Sequence, residues 1–185
     1  MRWCMVRGPM RYERETVPDV YYTQGDNVVR HRLLWDGAGE LTVKRRRSRK
    51  ETTNREEIDL TFTDKVRASD VTAFLGATGW KRVLSLFKDD VHIFWFDLPK
   101  GGQVNVAFYA VERLNYRTQK RDRRMQFIEV EVEKGSRYNE KESRAIFEEW
   151  RSAIDEAFPL GSPMTLSLFE IYTGRKYKSA SLHRG

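Results

Sequence analysis

Apolar and charged positions alternate along much of this chain with a period of two, which predicts strands whose two faces differ in chemistry. The clearest case is 28–47, VVRHRLLWDGAGELTVKRRR. Arg30 and Arg32 fall on one face of the first strand, while Val29, His31 and Leu33 fall on the other. Asp36-Gly37-Ala38-Gly39 favours a turn, and Thr42, Lys44 and Arg46 then alternate with Leu41 and Val43. The segment predicts a hairpin with one cationic and one largely apolar face. Ile58, Leu60 and Phe62 alternate with Glu57, Asp59 and Thr61, and Ile128, Val130 and Val132 alternate with Glu129, Glu131 and Glu133, so two further strands set an apolar face against an acidic one.

Other elements follow from punctuation. Trp3 to Val6 is a short apolar run with strand character, ended by Gly8-Pro9. Residues 11–16 alternate, and Pro18 argues for an edge or a break before Asp19-Val20-Tyr21-Tyr22. Gly25-Asp26-Asn27 is a turn. Ser69 is placed to cap a short helix over 70–78 that Gly79 closes. Two long strands, 82–97 and 103–111, join through Leu98-Pro99-Lys100-Gly101-Gly102, which makes the sheet antiparallel there. Residues 139–158 have helical spacing, with Ile146, Phe147, Trp150, Ala153, Ile154, Ala157 and Phe158 on a stripe suited to core packing. A short strand or helix is expected over 166–172, and a basic tail follows from Lys176.

Length and charge narrow the class. The 185 residues suit one domain, 1–185. Hydrophobic residues make up 39% and charged residues 33%, enough for a core beneath a strongly ionised surface. The formal net charge of +7 favours acidic partners such as nucleotides, polyphosphates or nucleic acids. Cations concentrate in two runs, 44–50 and 117–124, each of which suits a solvated loop. Cys4 is the single cysteine, so an intrachain disulfide is excluded and a reducing, cytoplasmic setting is expected. No stretch approaches the roughly 20 apolar residues of a membrane-spanning helix.

The two-faced strands admit two arrangements. With charged faces outward, the apolar faces meet in an ordinary core. With charged faces inward, ions leave bulk water, which is tolerable where they pair, stay hydrated, or meet a ligand and a metal. Carboxylates spaced two apart on a strand suit a hard divalent ion, and Arg and Lys around them suit phosphate oxygens.

The succession Asp19-Val20-Tyr21-Tyr22, Val29-Arg30-His31-Arg32, Leu41-Thr42-Val43-Lys44, Arg55-Glu56-Glu57 and Phe127-Ile128-Glu129-Val130-Glu131-Val132, closed by Ser167-Leu168-Phe169-Glu170-Ile171, resembles the CYTH family of triphosphate tunnel metalloenzymes. That family includes class IV adenylate cyclases, thiamine triphosphatases and inorganic triphosphatases, and RNA triphosphatases share its tunnel. The resemblance spans about 19–172 in short, degenerate pieces. It implies an α+β fold with an antiparallel eight-stranded tunnel and flanking helices. Arg30, Arg32, Lys44 and Arg46 would hold phosphate, with Lys88 at a position where the family has a tunnel cation. Glu57, Glu129 and Glu131 would bind Mg²⁺ or Mn²⁺, and the last two would carry catalysis. The expected partner is a triphosphate-containing small molecule or an RNA 5′ end. Departures accompany it: Glu13-Arg14-Glu15 lacks the Lys of the family's N-terminal Glu-x-Glu-x-Lys strand, and Tyr109 stands where the family has an aspartate. Hydrolysis is thereby less secure than anion binding, and a non-catalytic phosphate-ligand sensor and a basic RNA-binding module remain alternatives. His31, His92 and His183 have no metal-ligand spacing, Gly37-Ala38-Gly39 is a turn without a phosphate-loop context, and Cys4 is expected to be structural.

Overall fold

The computed structural model describes residues 1–25, 27–34, 38–46, 55–62, 67–115, 117–133, 138–158, 164 and 166–175, with the side chains of 44–46 and 55–57 excepted. Its elements are α1 (Arg2–Val6), β1 (Arg11–Gln24), β2 (Asn27–Leu33), β3 (Gly39–Arg46), β4 (Arg55–Phe62), α2 (Ala68–Ala77), β5 (Lys81–Asp97), β6 (Gln103–Leu114), β7 (Arg121–Val132), α3 (Glu140–Ala157) and α4 (Leu168–Thr173). The strands hydrogen-bond in the order β4-β3-β2-β1-β5-β6-β7. The α+β class and the antiparallel sheet agree with the sequence pattern. The described strands number seven, where eight were expected, and the sheet is not closed among the described residues.

Residues 11–16 and 19–22 belong to one strand, β1, which runs through Pro18. The β1·β2 ladder begins at Asp19↔Arg32, so Pro18, which has no amide hydrogen to give, lies just beyond it. Trp3 to Val6 is helical rather than extended. An apolar run that short carries no period to separate the two states, and aromatic packing decides: the Trp3 ring meets Trp150 edge-on at 6.3 Å and Phe158 at 6.2 Å.

The chain gathers into two compact units. The first comprises Met1–Thr16, Lys88–Val111 and Arg124–Pro163. Its core joins Cys4, Phe94, Phe96, Val104, Val106 and Ile154, with Trp3, Ile128, Val130, Ile146 and Trp150 packed around them. Val104 and Val106 on β6, and Ile128 and Val130 on β7, put alternate residues into this core, while the apolar stripe of α3 supplies Ile146, Trp150 and Ile154. The start of α3 is set by Asn139, whose side chain accepts the Glu142 amide while Glu142 reaches back to the Asn139 amide. Burying each large side chain here stabilises the fold by roughly 1.5–3 kcal/mol.

The second unit comprises Val17–Phe87, Glu112–Arg123 and Met164–Gly185. Val20 and Tyr22 of β1 pack with Val71 and Leu75 of α2, joined by Leu41, Phe62 and Trp80. The N-cap of α2 is Arg67, not the Ser69 that the sequence pattern favoured, and it caps with no side-chain bond. Phe62 is opposite Gly39 in the β3·β4 register, and a β-carbon on Gly39 would collide with the Phe62 ring, so glycine is required by close approach. The apolar face expected of β4 is only partly covered: Ile58 and Leu60 are exposed. The segment 166–172, ambiguous in sequence, forms α4, with Ser167 and Glu170 in a capping box and Gly174 in the left-handed conformation that closes it. The basic tail from Lys176 lies outside the described residues.

Candidate functional site

Two turns place the cationic face. Counting outward from the turn after Gln24↔Asn27 brings Asp19 opposite Arg32 and Tyr21 opposite Arg30, and across the next connection Arg32 is opposite Glu40 and Arg30 opposite Thr42. Because Val20, Tyr22 and Leu41 turn toward α2, the alternate residues Asp19, Tyr21, Arg30, Arg32, Glu40 and Thr42 share the other face.

On that face Arg32 donates from Nε to Asp19 Oδ1 at 2.9 Å and from Nη2 to Asp19 Oδ2 at 3.2 Å. Arg30 donates from Nη2 to Glu40 Oε1 at 2.5 Å and to Thr42 Oγ1 at 2.7 Å, and Thr42 donates in turn to Glu40. The side chains of Arg30 and Arg32 are 11% and 19% exposed, Asp19 is wholly buried, and Arg30 Nε is buried without a hydrogen-bond partner among the described residues. Burial is the largest single influence and works against both guanidinium charges, but Asp19, Glu40 and Tyr21 together outweigh it, and both pKa values lie above the ordinary arginine value. Burial also works against the Glu40 carboxylate, but Thr42, Arg30 and Arg32 outweigh it and hold its pKa below the usual range. Two guanidiniums are thus matched by two carboxylates. Lys44 and Arg46 follow Thr42 at two-residue intervals along β3. Lys44 is opposite Glu57 in the β3·β4 register. The side chains of Lys44, Arg46 and Glu57 lie outside the described residues. On the same face α4 brings Phe169 to 5.7 Å from the Tyr21 ring.

The remaining candidates lie in the first unit. Lys88 is buried, with Nζ 4.5 Å from the centre of the Tyr109 ring. Tyr109 donates its hydroxyl to Glu129 Oε2 at 2.8 Å and stacks on Phe127 at 5.7 Å. Glu131 accepts a long 3.5 Å bond from Asn105 Nδ2. Both glutamates are exposed, on the face of β7 opposite Ile128 and Val130. Glu13 is ion-paired to Arg11 at 3.3 Å. Among the described residues no three His, Cys, Asp or Glu side chains gather so as to hold a metal ion. Glu129 and Glu131 provide two carboxylates with oxygen chemistry suited to Mg²⁺ or Mn²⁺, one of them engaged by Tyr109, and this pair falls short of a complete ligand set. Cys4 is buried, and burial pushes its thiol up to about 11, so no thiolate nucleophile is available near neutrality.

Asp19 and Glu40 were not singled out as partners of the two arginines. The signal was present, since the short connection at 25–26 fixes the pairing by counting, and an acid opposite an arginine is a cross-strand pair. Tyr109 was marked only as a departure, and its bond to Glu129 has no trace in local pattern because the residues are on different strands.

Among solved structures, the chain is similar to the PH1819 protein of Pyrococcus horikoshii OT3, with a TM-score of 0.62 and 21% identity over 92% of this chain and 91% of that one. At that identity the likeness is one of fold. No protein-family model matches the chain, and no curated protein matches it.

Proposed function

We propose that this protein binds a triphosphate-containing ligand, a nucleotide, polyphosphate or RNA 5′ end, on a charged inner face of the CYTH kind, a tunnel of eight strands when complete. The observation that carries the reading is the largely buried guanidinium pair Arg30 and Arg32, with Arg30 Nε buried and lacking a hydrogen-bond partner among the described residues. Guanidinium groups in a sheltered site meet phosphate oxygens with short, charge-assisted and often bidentate bonds, worth more there than at an open surface. The ligand competes with Asp19 and Glu40 for these donors, so its own charge and the cations Lys44 and Arg46 have to supply the difference.

Glu129 and Glu131 would hold Mg²⁺ or Mn²⁺, which when bound supplies charge neutralisation of phosphate oxygens. Two carboxylates leave the shell incomplete, so binding is the primary activity and hydrolysis a secondary one. The deciding experiment is calorimetry with ATP and inorganic tripolyphosphate, without metal and then with Mg²⁺ or Mn²⁺, alongside phosphate release from the same panel. Micromolar binding supports the reading, and no heat with any triphosphate removes it.

The exposed β6–β7 connection favours a second reading. Arg113, Arg117, Lys120, Arg121, Arg123 and Arg124 are exposed there against Glu112 and Asp122, a polycationic hairpin suited to the backbone of RNA.

A further inference from the structure

The first unit contains a linked set of side chains that phosphate binding does not use. The Tyr12 hydroxyl lies 2.7 Å from His92 Nδ1. His92 Nε2 is 3.1 Å from Asp90 Oδ1, and the same oxygen receives Arg14, from Nε at 2.9 Å and from Nη2 at 2.6 Å. Asp90 has φ of 51°, a left-handed backbone within β5, and this aims its carboxylate back at residue 92.

The proton positions follow from the partners. The Asp90 carboxyl is held below its usual range by His92 first and Arg14 next, so it is ionised and can only accept. With the ring proton on Nε2, the nitrogen that faces this carboxylate, Nδ1 keeps its lone pair toward Tyr12 and the phenol donates to it. Nε2 is at ion-pair distance from Asp90 Oδ1, short of hydrogen-bond alignment. Packing fixes the phenol: its ring is within 15° of parallel to His92 at 5.9 Å and rests on Phe94 at 4.9 Å. His92 is 6% exposed and Tyr12 is 42% exposed, so the base is sheltered while the phenol is open to solvent.

A nucleophilic hydroxyl bonded to a base that a third group orients is the arrangement used for acyl transfer, here with a phenol in place of a serine. We propose that Tyr12 is an activated nucleophile that accepts an acyl group from activated esters. Tyr12 Oη forms the new bond to the ester carbonyl carbon as His92 Nδ1 takes the phenolic proton. The ester C–O bond then breaks, the leaving alcohol or phenol departs with the proton returned from His92, and an acyl-tyrosine results with no oxidant or further reactant. His92 is the base, and Asp90 is a positioning residue that favours the imidazolium while the proton is held.

The test uses p-nitrophenyl acetate on the full chain, following p-nitrophenol release and locating the acetyl group by peptide mass spectrometry. The expected result is stoichiometric acetylation at Tyr12, at least about tenfold faster than at any other tyrosine, abolished at that position in Tyr12→Phe and slowed at least about tenfold in His92→Gln. Asp90→Asn, at an exposed position, should slow the reaction less and change its dependence on pH, which a purely structural role would not do; it also serves if His92→Gln fails to fold by circular dichroism. Acetylation spread evenly over tyrosines and lysines, or a Tyr12 rate unchanged in both His92→Gln and Asp90→Asn, would overturn the proposal.

Discussion

Arg32 grips Asp19 through both carboxylate oxygens, at 2.9 and 3.2 Å, across directly opposed positions of β1 and β2, with Asp19 wholly out of solvent. Removing Arg32 takes the bidentate partner from a carboxylate that is out of solvent. Arg32→Met should therefore cost about 3–5 kcal/mol in urea unfolding, and Arg32→Met combined with Asp19→Leu should recover much of it. A single variant as stable as the wild type would show that water reaches Asp19.

His31, on the opposite face of β2, is buried with Nε2 unpartnered among the described residues, and burial lowers its pKa below the ordinary 6.5. Above that value both folded and unfolded states hold the ring neutral, and its contribution is fully present. As pH falls below 6.5 the unfolded chain takes up a proton that the folded chain resists, so stability drops by at most about 1.4 kcal/mol per pH unit until the folded pKa is reached. Glu40, with its pKa also lowered, adds a further loss below about 4.5. Urea midpoints at pH 7.5 and 5.5 should separate in the wild type and converge in His31→Leu.

Lys44 is one of the candidate sources of cationic charge beyond that matched by Asp19 and Glu40. If the ligand is a triphosphate, Lys44→Ala should weaken its binding roughly tenfold to a hundredfold, equivalent to losing a charge-assisted contact of roughly 1.5–3 kcal/mol. The paired change Glu129→Ala and Glu131→Ala should spare affinity measured without metal and reduce any turnover that metal supports. Calorimetry with ATP and phosphate release together distinguish the two effects.

The exposed cations Arg113, Arg117 and Lys120 should act on RNA through counterion release. Replacing all three with alanine should lower the slope of log affinity against log salt by roughly 2 for single-stranded RNA and weaken retention most at low salt. Equal loss at every salt concentration would indicate a specific contact instead.

Face chemistry was legible in the chain because side-chain alternation is a local consequence of extended backbone. It placed Arg30 and Arg32 together on one side of β2, put Glu129 and Glu131 opposite the core on β7, and identified α3 by its stripe and by the turn residues around it. Tertiary structure decided what those faces meet. Pro18 looked like a break because its missing donor is a local fact, but whether a donor was needed depended on where the β2 ladder starts. Residues 3–6 became helical because Trp3 packs against Trp150, nearly 150 positions away, and no local pattern reports such a contact. The tyrosine, histidine and aspartate chain is of the same kind: Tyr12 and His92 are 80 residues apart, and only the folded strands bring the phenol to the imidazole.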